Sequence, residues 1–127
     1  MVATPADVGM ADRVTAPWGW HEVLGESVHW KLKKLHVLPG HRTSLQTHQR
    51  RGEWWYAVEG DGLFTIGKNI STTNDLGRWI YVGAGTKHRI EGQEPFGVTI
   101  LELQLGHGMA PFEADVVRHE DSYGRAE

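Results

Sequence analysis

Cysteine is absent from this chain of 127 residues. Disulfides and thiolate metal sites are therefore excluded, and any bound metal must take nitrogen and oxygen ligands. Long apolar runs are missing as well, since none approaches the roughly 20 residues that a membrane span needs. The first residues lack the apolar stretch of a secretory signal, so the expectation is a soluble, cytoplasmic protein with no membrane partner. A basic excess is also lacking. The formal net charge of −3 argues against nucleic acid as a partner. No stretch sustains a 3.6-residue apolar period, which leaves little room for helices.

What is present is a series of short apolar runs punctuated by glycine, which predicts an all-β barrel or sandwich in a single domain. Residues 1–16 are small, polar and unpatterned and read as a flexible N-terminal segment, with the folded domain over 17–127. Val28 to Leu38 reads as a strand pair or one long strand. Val28, Trp30 and Leu32 share one face, then Leu35 and Val37 take the opposite parity, so a bulge near Lys33-Lys34 is expected. Lys31 and Lys33 then read as a solvated edge, with attraction of an anionic substrate as the alternative. Residues 68–77 read as a loop, and Glu113 to Val117 as a short helix or extended arm.

The most informative stretch runs from Gly40 to Gly60. Gln46 and His48 are two apart, so on a strand they project from one face. After a polar turn, Glu53 opens a second apolar run that ends at Gly60-Asp61-Gly62. Such a hairpin can bring an amide oxygen, an imidazole and a carboxylate together. His88, after the Gly83-Ala84-Gly85 turn, is the fourth candidate. Spacing alone leaves these residues open between a metal site and an ordinary polar strand face.

The order Gly40, Gln46, His48, Glu53, Gly60, followed by Gly77, Gly83, Gly85 and His88, resembles the two motifs of the cupin superfamily. Gln46 stands where most cupins have a first histidine, and Gly83 where the second motif usually has proline. Leu45-Gln46-Thr47-His48-Gln49-Arg50-Arg51-Gly52-Glu53-Trp54-Trp55 is similar to the corresponding segment of the type II mannose-6-phosphate isomerase cupin domain. Pro17-Trp18-Gly19, His36 to Gly40 and Asp121 to Arg125 match it too. The resemblance implies a double-stranded β-helix, or jelly-roll barrel, holding one divalent metal ion on Gln46, His48, Glu53 and His88.

Two imidazoles, a carboxylate and an amide suit zinc, manganese, iron, cobalt or nickel. By resemblance, the activity expected is interconversion of mannose 6-phosphate and fructose 6-phosphate, or a related aldose–ketose pair. A non-catalytic, metal-containing sugar-binding cupin and an iron-dependent oxygenase are the alternatives. A sugar phosphate needs guanidinium partners, and the candidates are Arg51, Arg89, Arg42 and Arg125, with Lys31, Lys33 and Lys87 behind them. No general base is assigned, although Glu102 could face the site. Trp18, Trp20 and Trp30 offer apolar area for a homodimer.

Overall fold

The computed structural model describes residues 13–72, 77–106 and 116–126. Among them there is no helix, and hence none long and apolar enough to cross a membrane. The strands are β1 (Val14–Ala16), β2 (Gly19–Glu26), β3 (Trp30–Val37), β4 (Leu45–His48), β5 (Gly52–Gly60) and β6 (Gly62–Ile66). They continue with β7 (Asn69–Thr72), β8 (Trp79–Val82), β9 (His88–Gly92), β10 (Val98–Leu105) and β11 (Val116–Glu120). They form two antiparallel sheets, ordered β1-β2-β3-β10-β5-β8 and β11-β4-β9-β6-β7. The two face each other as a jelly-roll barrel.

The core lies between the sheets. Val37, Val98 and Ile100 have no exposed surface, and Leu35, Trp55, Ala57, Phe64, Val82 and Ile90 complete the cluster. Burial of each large apolar side chain stabilises the fold by about 1.5–3 kcal/mol. Two glycines allow the chain to close around this core. Gly60 has φ +92°, and a Cβ there would lie 2.1 Å from the Gly97 carbonyl oxygen. At Gly92 a Cβ would lie 2.3 Å from the Leu38 carbonyl oxygen.

Cross-strand rows show how the barrel interior changes along its length. At one end Leu35, Ile100 and Ala57 stand side by side on β3, β10 and β5. The next row is Lys33, Glu102 and Trp55, and the next Lys31, Gln104 and Glu53. The floor is apolar and the open end polar.

Several expectations are corrected. Ordered structure begins before Pro17, because β1 pairs with β2 from Val14 onward, and residues 1–12 lie outside the described residues. The 68–77 segment contains β7, with residues 73–76 outside the described set. Of the two readings for 113–117, Val116 and Val117 follow the extended one, as the start of β11, and residues 113–115 are not described.

β3 carries no bulge of its own against β10; the irregularity is across from it, between Val23 and Gly25 of β2. Lys33 consequently keeps the parity of Leu35 and Val37 and is buried, with 8% exposure, so it is no solvated edge residue. Of the three tryptophans offered for pairing, Trp18 packs on the core and Trp20 lies between His36 and the Arg13 guanidinium. Trp30 is 38% exposed.

Candidate metal centre

The expected hairpin does not form, because β4 and β5 lie in different sheets: β4 carries Gln46 and His48, β5 carries Glu53 across the barrel, and β9 brings His88. Gln46 pairs with His88 across β4 and β9, while Glu53 lies in the facing sheet beside Gln104. Ligand atoms of His48, Glu53 and His88 all lie within 4.8 Å of one another, and all three residues are buried. The sheets thus bring together side chains 40 positions apart in sequence.

The hydrogen bonds define how these groups are presented. His88 Nδ1 lies 2.8 Å from the Thr86 carbonyl oxygen, which only accepts, so Nδ1 carries the proton. Its Nε2 lone pair is left facing the Glu53 carboxylate, at 3.9 Å from Oε2. Burial lowers the His88 pKa, against the opposing pull of Glu53 and the Thr86 hydrogen bond, and keeps the ring a neutral donor. Glu53 Oε2 accepts from Trp55 Nε1 at 3.0 Å. Glu53 Oε1 lies 2.8 Å from His48 Nε2, yet this buried oxygen has no hydrogen bond.

A lone pair aimed at a carboxylate, beside a carboxylate oxygen without a hydrogen-bond donor, is what a cation between them would satisfy. The donor set fits a divalent ion of the zinc, manganese or iron type. Gln46 lines the same cavity. Its amide nitrogen donates to Ser44 Oγ at 3.2 Å, leaving the amide oxygen for a cation.

The cavity around the triad measures about 190 Å³. Of the four expected arginines, Arg51 and Arg125 line it, whereas Arg42 and Arg89 do not. Arg42 bonds Ser122 Oγ at 2.8 Å. Arg89 donates to the Thr43 carbonyl oxygen at 2.9 Å and ties β9 to Glu120 of β11. Arg51 donates to Gln104 Oε1 at 2.9 Å. Its Nη2 stands 2.8 and 2.9 Å from the two ring nitrogens of His48. Arg125 is clamped by Asp121, with 2.8 Å from Nε to Oδ2 and 3.1 Å from Nη2 to Oδ1.

Further lining groups are Lys33, Glu102, Gln104, His21 and Arg118. Glu102 accepts from Gln104 Nε2 at 2.9 Å and from Trp55 Nε1 at 3.3 Å. Burial, then the neighbouring Glu53 charge, raises its pKa to about 7, with Lys33 pulling the other way. The sequence offers Arg118 only as surface charge or part of a lid, and the structure places it in the cavity wall.

A jelly-roll barrel with this nitrogen- and oxygen-donor cluster at its open end defines the chain as a cupin. Among solved structures, a cupin-2 domain protein of Rhodospirillum rubrum is similar, with TM-score 0.68 and 18% identity over 91% of this chain and 82% of that one. The chain belongs to the mannose-6-phosphate isomerase C-terminal family, whose model matches residues 5–121. It is 31% identical to the xanthan biosynthesis protein XanB of Xanthomonas campestris, over 89% of this chain and 24% of that protein. It is also 31% identical to the mannose-1-phosphate guanylyltransferase ManC of Salmonella typhimurium, over 91% of this chain and 24% of the relative. The chain thus spans about a quarter of the length of these curated relatives.

Proposed function

We propose that this domain is a metal-dependent sugar-phosphate isomerase that interconverts mannose 6-phosphate and fructose 6-phosphate. The observation that carries the reading is the His88 Nε2 lone pair held toward Glu53 beside His48, deep in a polar cavity. His48, Glu53 and His88 would hold the ion, with the Gln46 amide oxygen as a fourth ligand. When bound, the cation supplies positive charge that polarises a carbonyl and stabilises an adjacent developing oxyanion.

Moving a proton between neighbouring carbons needs a group that is both base and acid near neutrality. Glu102 is placed for that role, in the cavity wall, with Trp55 and Gln104 fixing its carboxyl group. In this reading it takes the proton from C2 of the aldose and returns it at C1, while the O2 hydroxyl proton passes to O1, so that C1 becomes the alcohol and C2 the carbonyl. Lys33, paired with it across β3 and β10, limits how far its pKa rises.

The test is a coupled assay for fructose 6-phosphate formation with added zinc, manganese, iron, cobalt or nickel. Turnover above that of a Gln46→Ala, His48→Ala double variant is expected. Its absence in metal-loaded protein that still binds sugar would leave a sugar-binding cupin instead. The two-histidine, one-carboxylate set also fits an iron-dependent oxygenase. Oxygen uptake with iron(II) would favour that second reading.

A further inference from the structure

A second cavity, of about 300 Å³, opens on the outside of the barrel, and its wall is made by His36, Glu59, Gly60, Phe96, Gly97 and Thr99. His36 stands between the core residues Leu35 and Val37, and Thr99 between Val98 and Ile100, so alternation turns both outward. Glu59 would point inward by the same rule, since Ala57 belongs to the core. A register shift between β10 and β5 prevents this: Ile100 pairs with Ala57 and Thr99 with Glu59, which leaves Val58 over. The bulge sends Val58 and Glu59 out together and sets His36, Thr99 and Glu59 in one row across three strands. Glu59 lies six residues beyond Glu53 on β5, which puts the two about 20 Å apart.

The groups in this wall have binding capacity that the fold does not use. Phe96 is 72% exposed, the highest value of any large apolar side chain among the described residues. Left in water, its ring forgoes the roughly 1.5–3 kcal/mol that burial gives. Thr99 is 3% exposed, and its hydroxyl lies 2.7 Å from His36 Nδ1. That hydroxyl both donates and accepts, so His36 Nε2, which has no partner among the described residues, can serve in either sense. Trp20 stacks on the imidazole with ring centroids 5.7 Å apart. Burial lowers the His36 pKa, against the nearby Glu59 charge, and keeps the ring neutral. The Glu59 carboxylate is exposed and makes no hydrogen bond or ion pair with a described residue.

We propose that this cavity is a second ligand site and that its ligand is a neutral pyranose sugar. A pyranose has a face of C–H groups, which packs on an aromatic ring, and a rim of hydroxyls, each donor and acceptor at once. Phe96 meets the face. Glu59 accepts from one hydroxyl, and His36 Nε2 exchanges a hydrogen bond with another. An anionic sugar is disfavoured, because the wall holds a carboxylate and no cation. Arg13, beyond Trp20, is held by Glu22 at 2.8 Å. The Thr99 hydroxyl is too buried to act as a nucleophile, so the site binds and does not react. No residue is shared with the metal centre, and this site can therefore bind whether or not that one turns substrate over.

The probe is methyl α-mannopyranoside, whose blocked anomeric carbon keeps it from being isomerised. It is titrated into nitrogen-15-labelled, zinc-loaded protein and followed by amide chemical shifts, with mannose 6-phosphate and ethanolamine as charged controls. Saturable shifts at residues 36, 59, 60, 96, 97 and 99 are expected, with a Kd of about 1–10 mM for one stacked ring and two hydrogen bonds. Chelator-treated protein should give the same shifts. Phe96→Ala and Glu59→Gln, both at exposed positions, should each weaken binding about 10-fold while thermal midpoint and zinc content hold. No saturable shift up to about 100 mM overturns the proposal, as do shifts confined to residues 46, 48, 53 and 88. So does an unchanged affinity in Phe96→Ala. Equally strong shifts of residues 36, 59 and 96 with ethanolamine or mannose 6-phosphate would overturn it too, since the cavity would then answer to charge rather than to a sugar ring.

Discussion

Arg51 shares Glu53 with any cation the triad binds, and replacing it by methionine exposes that competition. Its guanidinium is 3.5 Å from Glu53 Oε1, and both residues are almost fully buried. Removing one partner of a buried pair typically costs about 3–5 kcal/mol. Glu53 keeps its Trp55 hydrogen bond and can take up a proton, so the low end applies. At about 4 °C per kcal/mol for a domain of this size, Arg51→Met in chelator-treated protein should melt about 12 °C below wild type. With a divalent ion bound, the ion meets the Glu53 charge and no longer shares the space with a second cation.

Arg51→Met should then gain more from metal than wild type does. A coupling of about 3 kcal/mol corresponds to roughly 100-fold tighter zinc binding. Thermal melts with and without chelator give the first quantity, and competition against a chromophoric chelator the second. If Arg51 instead serves chiefly to orient His48, its loss should weaken zinc binding by about 10- to 100-fold. Weaker binding, or equal destabilisation with and without metal, would refute the competition argument.

Other expectations are simpler to check. Trp55→Phe removes the one N–H that reaches both Glu53 and Glu102, and should cost about 1–3 kcal/mol by denaturant melt. Gly92→Ala forces a Cβ onto the Leu38 and Val37 carbonyls and should cost about 1–3 kcal/mol, read by the same melt; a neutral result would mean the backbone there can shift.

Asp121 has its pKa lowered below the usual 3.8, first by the hydrogen bond from Arg125. That stabilisation is complete above the unfolded pKa and lost as pH falls through the folded one, so the C-terminal segment should loosen only in acid below about pH 4. Amide exchange at residues 121–125 would report it, and Asp121→Asn should remove the pH dependence.

The ligand-bearing segment was legible because two local signals agreed. Alternation put Gln46 and His48 on one face, and the glycine spacing matched a known motif. Lys33 was misread for a physical reason. Trp30 and Leu32 are apolar residues on the outer parity near the open end, while the inner parity there turns polar. An inversion of polarity along one strand has the same sequence pattern as a bulge.

Arg89 was chosen for standing next to a ligand, and adjacency is what excludes it, since neighbours on a strand point to opposite faces. Arg118 depends on β11 pairing with β4 some 70 residues earlier, a contact that no local pattern signals.

The graded interior of β3, β10 and β5 has a consequence for how this domain can change. Folding is secured where Val37, Val98 and Ile100 meet, while Glu102 and Glu53 stand on the polar rungs further along the same strands. Replacing residues at the polar rungs can therefore redirect what is bound or transformed without loosening the base. A barrel divided in this way can host new chemistry while keeping its foundation.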